Sequence, residues 1–281
     1  MTENPHHQII KRELWITILL QIVTLAVMIT AALLLKTRWI AAFALPVILL
    51  IWLGWAVVYK KPGAMIPLSI LSGIALGSAV LLLPETIVPM MFRIAGAFFC
   101  FGMGWIGIWY FARQVRGNYW WWAFVPATIT FSITGIFAFQ KSNIFDIAFF
   151  IGIGIGAGLL AWGLGERLFG LIIAGSIVLT TAPGVAFAWS WTQNLSVISQ
   201  TGVMIAWIAL GWGLITIGSR VITDRFIWWP LIPGGVLAMV GMGLYLGGDP
   251  ILANTVLNST GAMGITLFAV YLILMRTRLR Q

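Results

Sequence analysis

Residues 104–126 read GWIGIWYFARQVRGNYWWWAFVP, and residues 211–233 read GWGLITIGSRVITDRFIWWPLIP. Aligned at an offset of 107 positions, the two stretches share a Gly-Trp pair, an arginine, a Trp-Trp pair and a proline. In each stretch one apolar run ends near the arginine and another begins at the tryptophans. This pattern predicts two membrane-spanning helices joined by a short basic turn, and it predicts that the hairpin occurs more than once.

A single basic residue recurs at nearly equal intervals along the whole chain. Lys60, Arg113, Arg167 and Arg220 are separated by 53, 54 and 53 positions, and each lies between two apolar runs. We interpret the spacing as four tandem helical-hairpin repeats of about 53 residues, the first and third being fainter copies than the second and fourth. The copies cover about 39–83, 88–140, 144–191 and 198–247.

The composition places the chain in a membrane. Of its 281 residues, 61% are hydrophobic and 8% are charged, with a mean hydropathy of +1.03, whereas soluble domains average about 25% charged residues. The sequence therefore predicts an all-α polytopic membrane protein whose main partner is the lipid bilayer. The net charge of +9 comes from basic residues dispersed at the ends of apolar runs. That distribution is typical of topology signals, and we predict no nucleic-acid partner.

About 20 apolar residues are needed to cross a bilayer. Ten segments of suitable length and composition are predicted to do so: about 14–35, 39–59, 64–83, 88–112, 119–140, 144–164, 168–191, 198–219, 226–247 and 256–275. The first and last flank the four hairpins and form one transmembrane domain with them, 14–275. Residues 1–13 are predicted to be an N-terminal tail, and residues 276–281 a basic C-terminal tail.

The basic residues also predict an orientation. If the N-terminus lies in the cytoplasm, the inside segments hold 12 of the 16 lysines and arginines. The outside segments hold the other four, Lys36, Arg38, Arg93 and Lys141. This bias favours both termini in the cytoplasm, and we predict a bacterial inner (plasma) membrane location.

The recurring residues are interpreted as interface anchors. Long basic side chains extend toward lipid headgroups, and tryptophan has an apolar ring and an N–H suited to the same depth. The predicted anchors are the four recurring basic residues together with Trp121, Trp122, Trp228 and Trp229. An aromatic cage for a substrate is the alternative interpretation of these tryptophans.

Hydroxyl side chains provide the mild polarity inside the predicted spans. Thr128 and Ser132 share one helix face, and Thr130 and Thr134 share another. The four hydroxyls are suited to lining a neutral polar path, or equally to bonding with a carbonyl one turn back or with a neighbouring helix.

Glycines alternate in the run 152–158, forming the four-residue pairs Gly152/Gly156 and Gly154/Gly158. Such pairs are typical of close helix packing. The run lacks the strand, turn and acidic ligand of a nucleotide-binding loop.

Chemistry-bearing residues are scarce. The seven acidic residues lie in a terminus, in a loop or near the end of a predicted span, both histidines lie in the N-terminal tail, and Cys100 is the single cysteine. The sequence therefore predicts no catalytic residues, no metal ligands and no cofactor, and we do not expect an enzyme.

The stretch from Trp228 to Gly234, WWPLIPG, with the glycine-bearing run to Gly243, resembles helix starts in membrane regions of the LiaI/LiaF-like kind. The resemblance is confined to this short stretch. It implies a bacterial cell-envelope membrane protein, of a group in which some members are connected with stress signalling. We predict no soluble domain of the kind that accompanies LiaF-like regions within these 281 residues.

These observations lead to two alternative hypotheses about the function. The first is a non-enzymatic scaffold or envelope-associated sensor that acts through its helix surfaces on lipids, on other membrane proteins or on copies of itself. The second is a carrier for a neutral or lipophilic small molecule, because ten helices with both ends inside are the outline of drug/metabolite exporters. Those exporters contain two inverted five-helix halves, whereas a two-helix repeat keeps every copy in one orientation. A continuous polar cavity at mid-membrane would favour transport, and a solid glycine-packed bundle would favour a scaffold.

Overall fold

A computed structural model describes residues 18–19, 21–23, 25–27, 29–30, 42–192, 194–223 and 227–247. These residues contain helices and connecting turns and no strand. Those described between 18 and 30 are helical. The following eight helices are α1 Ala44–Val58, α2 Pro62–Leu81, α3 Met90–Arg116, α4 Phe124–Ala138, α5 Ile144–Gly165, α6 Phe169–Ala186, α7 Val197–Ile222 and α8 Leu231–Gly247. A 3-10 turn, Trp121–Ala123, precedes α4, and a π-helical turn, Phe187–Trp191, extends α6.

Within the described residues, six helices are long and apolar enough to cross a membrane: Pro62–Leu81, Met90–Arg116, Trp121–Ala138, Ile144–Gly165, Phe169–Trp191 and Val197–Ile222. Helices α1 and α8 are apolar but shorter, with 15 and 17 residues. The prediction of a helical, multi-pass membrane protein is confirmed at this level. The predicted segment 256–275, both predicted tails and most of 14–35 lie outside the described residues, so the count of ten remains a prediction.

Local sequence explains where several helices begin and end. The Asn143 side chain accepts a hydrogen bond from the Phe145 N–H at 3.1 Å and caps α5. Ser196 accepts one from the Ser199 N–H at 3.2 Å and caps α7. Both side chains satisfy main-chain donors that have no partner within their own helix. Helix α2 instead begins with Pro62, whose missing N–H costs little at this position.

The described helices form a row. Every extensive contact joins two helices that are consecutive in the chain, and the only others between helices are small contacts of α1 with α3 and of α5 with α7. Because the connections are short, each helix runs antiparallel to the next. Each interior helix of the row therefore packs on two neighbours and leaves its remaining faces uncovered by the described residues.

Alternating glycines allow α5 to lie in the middle of this row. A Cβ at Gly156 would lie 2.5 Å from the main-chain nitrogen of Leu179 in α6, and one at Gly152 would meet Ala182 of the same helix. A Cβ at Gly158 would lie 2.7 Å from Cα of Val125 in α4. Successive alternate positions of a helix point to nearly opposite sides. The pair Gly152/Gly156 thus packs against α6, and the pair Gly154/Gly158 packs against α4.

Four helix boundaries in the first half of the row recur in the second half at the same offset as the sequence repeat, 107 positions. Helices α1 and α5 end at Val58 and Gly165, and α2 and α6 begin at Pro62 and Phe169. Helices α3 and α7 begin at Met90 and Val197, and α4 and α8 begin at Phe124 and Leu231. We call α1–α4 the first unit and α5–α8 the second unit.

Burial follows the same offset. Ile108 and Ile215 are both 0% exposed, although they lie in helices that make no contact with each other. Further buried pairs at this offset are Met65/Ile172, Ser69/Ser176, Ala75/Ala182, Ala79/Ala186 and Ala112/Ser219. The same positions therefore face helix contacts in both units.

Candidate functional site

The four recurring basic residues occupy two kinds of turn. Lys60 and Arg167 lie just after α1 and α5 with φ of 51° and 57°, in the left-handed region. After each of them the chain bonds back across the helix end, from Lys61 N to Ala56 O at 2.8 Å and from Leu168 N to Gly163 O at 2.8 Å. Arg113 and Arg220 instead lie in the last turns of α3 and α7. All four side chains are exposed at the same end of the row.

The predicted tryptophan anchors differ in how they are held. The Trp122 ring meets the Trp105 ring edge to face at 6.0 Å, and Trp229 meets Trp212 at 5.9 Å, the equivalent pair in the second unit. Trp228 is 61% exposed. These tryptophans lie at the same end of the row as the basic turns.

Trp121 lies against Gly165 at the end of α5, and its ring stacks on Phe124 at 5.7 Å. It therefore joins α4 to α5, which is a packing role in addition to the predicted role as an anchor. Next to it, Arg113 donates a hydrogen bond to the Tyr119 hydroxyl and lies 5.0 Å from the centre of the Tyr119 ring. Arg116 lies 5.2 Å from the Trp120 ring centre. Each arginine is thereby paired with an aromatic ring through cation–π attraction.

The predicted hydroxyl faces of α4 lie against neighbouring glycines. Ser132 packs against Gly154 and Thr128 against Gly158, both in α5. Thr130 faces Gly102 in α3, where an added Cβ would lie 2.8 Å from Thr130 Oγ1.

The α4 threonines also donate to carbonyl oxygens of their own helix. Thr128 donates to Phe124 O at 2.9 Å, and Thr130 donates to Ala127 O at 2.7 Å. Thr134 donates to Thr130 O at 3.0 Å. The structure therefore places Thr128, Thr130 and Ser132 in helix contacts, on two opposite sides of α4.

A buried carboxylate marks the opposite end of the row. Asp146, in the first turn of α5, is 6% exposed. Its Oδ1 accepts hydrogen bonds from Ser190 Oγ at 2.7 Å and from Trp191 Nε1 at 3.2 Å, and its Oδ2 lies 3.2 Å from Lys141 Nζ. Asn143 Nδ2 in turn donates a hydrogen bond to Ser190 Oγ at 3.4 Å. We call these five side chains the Asp146 cluster.

The fold assembles this cluster from two helix ends. A carboxylate is favoured in the first turn of a helix, where main-chain N–H groups point outward. Ser190 and Trp191 lie in the π-helical turn that follows Pro183, a residue unable to donate a main-chain hydrogen bond within α6. Both oxygens of Asp146 are engaged, so the cluster ties the start of α5 to the end of α6.

The sequence predicts Asp146 at the end of a span but does not identify its partners Ser190 and Trp191, which lie 44 and 45 residues away. The predicted hairpin could have indicated these partners, because it brings the start of segment 144–164 next to the end of segment 168–191. Arg93, in the first turn of α3, donates to Leu83 O at 2.7 Å and pairs with Glu85 at 2.7 Å, and thereby braces the connection between α2 and α3.

A cavity of about 350 Å³ lies between α1, α2 and α3. We call it the α1–α3 groove, because exposed side chains such as Leu50 and Met103 form part of its wall. Its lining residues are Leu50, Leu53, Ser69, Ser72, Gly73, Leu76, Cys100, Met103, Gly104, Ile106, Gly107, Tyr110 and Phe111. The groove is therefore an apolar site with a few hydroxyl or thiol groups in its wall.

In comparisons with known proteins, no family model, no curated protein and no solved structure matches this chain. Among the described residues, no group of three or more His, Cys, Asp or Glu side chains is placed to hold a metal ion.

Proposed function

We propose that this protein is a non-enzymatic membrane scaffold or envelope-associated sensor that acts through its helix surfaces. The proposal includes ten membrane-spanning helices, both termini in the cytoplasm and a bacterial inner membrane. The resemblance of residues 228–234, WWPLIPG, to LiaI/LiaF-like regions supports a role at the cell envelope. The repeat is proposed as four hairpins arranged in two units of four helices.

The arrangement of the helices in a row carries this proposal. A carrier has to enclose its substrate on all sides during part of its cycle, which requires helices from separate parts of the chain to close around a path. The described helices pack extensively only on their chain neighbours, through glycine contacts. This leaves broad apolar faces, such as that formed by Leu210, Ile217 and Val221 on α7, each more than half exposed. Continuous exposed apolar faces are typical of surfaces that contact lipid or another membrane protein.

The second candidate is a carrier for a neutral or lipophilic small molecule, and the α1–α3 groove favours it. A volume of about 350 Å³ is at the lower end of the range of small-molecule pockets, roughly 300–1,000 Å³.

Photo-crosslinking in native membranes tests the scaffold proposal. A photoreactive amino acid at Leu210 or Ile217 should capture one and the same partner protein, because the two positions share a face. The buried position Ile215 on the same helix is the control and should capture no external partner.

Transport is tested separately with the purified protein in liposomes. The scaffold proposal expects no protein-dependent movement of neutral or lipophilic solutes. Saturable uptake that is abolished by Thr130→Val or Thr134→Val would overturn it in favour of the carrier.

A further inference from the structure

At four positions that line the α1–α3 groove, the second unit carries larger side chains. Ser72, Gly73, Cys100 and Gly107 line the groove in the first unit. The residues 107 positions later are Leu179, Thr180, Trp207 and Leu214. Each replacement adds volume at one point of the wall.

Contacts in the second unit show where this added volume lies. Leu179 packs onto Gly156, whose added Cβ would lie 2.8 Å from Leu179 Cβ. Trp207 packs onto Gly184 of α6 and stacks on Phe187 at 5.2 Å. Thr180 lies against Gly211 of α7. These side chains fill the space between α6 and its neighbours.

The first helix of the second unit, α5, also differs from its counterpart α1. The two α5 glycines that face α6, Gly152 and Gly156, correspond to Leu45 and Leu49 of α1. Glycine lets two helix backbones approach closely, whereas branched side chains keep them apart. Helix α1 therefore cannot approach α2 as closely as α5 approaches α6. Two differences, one in the groove wall and one in the first helix of each unit, therefore favour an open groove in the first unit.

The chemistry at one end of the groove points to its occupant. Tyr110 and Phe111 line the groove one turn before Arg113 on α3. Lys60 and Lys61 lie in the turn that follows α1, and Arg116 ends α3. None of these four basic side chains forms a salt bridge within the described part of the chain. An apolar groove that leads to unneutralised positive charge is complementary to an amphiphile with an anionic end.

We propose that the α1–α3 groove binds one acyl chain of an anionic phospholipid, whose headgroup lies among Lys60, Lys61, Arg113 and Arg116. The proposal requires only that α1–α3 lie in the bilayer, and it stands whether the protein is a scaffold or a carrier. Cys100, the single cysteine of the chain, lies in the groove wall and offers a direct way to block it.

The test uses the full-length protein in phosphatidylcholine vesicles that contain a trace of phosphatidylglycerol with a diazirine in one acyl chain. After illumination, mass spectrometry should locate the label on groove residues such as Leu53, Leu76 and Ile106. The matching second-unit positions Leu160, Pro183 and Gly213 should carry severalfold less label. Cys100→Trp, which copies Trp207, should reduce labelling of the groove severalfold. Leu71→Trp adds the same ring to an exposed α2 position outside the groove and should not.

A second measurement covers the possibility that Cys100→Trp fails to fold. Alkylating Cys100 with benzylmaleimide in the folded wild-type protein should reduce groove labelling to the same degree. A phosphatidylcholine probe should label the groove severalfold less than phosphatidylglycerol, and replacing the four basic residues with glutamine should remove this preference.

Three results would overturn the proposal. The first is even labelling across the exposed residues of both units. The second is groove labelling that is equal for the two lipids. The third is a crosslink showing that another segment of this chain, or a second copy, covers the groove. Since none of these readouts involves solute transport or a protein partner, they can fail independently of the proposed scaffold function.

Discussion

Ser69 Oγ donates a hydrogen bond to the main-chain oxygen of Gly104, 2.6 Å away and 35 residues later in the chain, and thereby joins α2 to α3. Ser176 lies at the matching position of the second unit and is equally buried, but its hydroxyl has no hydrogen-bond partner among the residues that the structure describes. Two serines at equivalent positions thus have different hydrogen-bonding environments.

This difference predicts opposite effects of one substitution. Ser69→Ala should lower the free energy of unfolding by about 1 kcal/mol, the usual net value of a hydrogen bond. Ser176→Ala should leave it unchanged or raise it, because the alanine removes a buried hydroxyl with no partner. Unfolding by a denaturing detergent, followed by circular dichroism, measures both. Equal destabilisation by the two substitutions would contradict the assignment.

Glycine contacts should be sensitive to a single methyl group. Gly156→Ala places a Cβ 2.5 Å from Leu179 N, and overpacking of this kind typically costs about 1–3 kcal/mol. Gly213→Ala is the matched control, since no atom of the described residues lies within 4 Å of its added Cβ. Alanine is also the better helix former, so the control should be neutral or stabilising. The same unfolding measurement compares them, and a Gly156→Ala protein as stable as the control would disprove close α5–α6 packing.

The Asp146 cluster should show strong coupling between Asp146 and Ser190. A double-mutant cycle with Asp146→Asn and Ser190→Ala should give an interaction energy of about 1–3 kcal/mol, because the hydrogen bond involves a charged acceptor and is largely buried. The Lys141 side chain is 38% exposed, so Lys141→Gln should cost less than about 1 kcal/mol. Additive effects of the two cluster substitutions would show that the hydrogen bond does not stabilise the fold.

Turn geometry separates two basic positions that look alike in the sequence. Arg167 has a φ of 57°, a conformation that costs an L-residue about 1–2 kcal/mol and that glycine adopts freely. Arg167→Gly should therefore maintain or raise stability. Arg220 lies within α7, where glycine costs up to about 1 kcal/mol relative to a good helix former. If Arg167→Gly instead loses as much stability as Arg220→Gly, the charge of Arg167 stabilises the fold by more than the turn strain costs.

The proposed orientation can be tested by labelling engineered cysteines in a Cys100→Ser background. Asn118→Cys lies in the exposed turn between α3 and α4, and Ser142→Cys lies in the exposed turn between α4 and α5. A membrane-impermeant maleimide added to intact cells should label position 142 and leave position 118 unlabelled until the cells are opened. The reverse result would show that the basic turns lie outside.

The sequence by itself determined the helical, membrane-spanning class and the positions of the segments from α1 to α8. This information was local: about 20 apolar residues ending at a basic turn form a helix that crosses lipid, whatever its neighbours are. The offset between the two units was also visible, in Gly104-Trp105 and Gly211-Trp212. The helix-packing role of the glycines at 152–158 followed from their spacing.

Only the tertiary structure decided which helices touch and which polar groups find partners. No periodicity in the chain indicates that Gly154 and Gly158 contact α4 while Gly152 and Gly156 contact α6. Nor does any periodicity indicate that Ser69 has a hydrogen-bond partner whereas Ser176 has none within the described part of the chain. The Asp146 cluster and the α1–α3 groove likewise depend on distances between segments that are far apart in the chain. Such distances are set by the side chains between the helices. Because almost every segment is apolar, hydrophobicity places all of them in the membrane, and packing alone arranges them there.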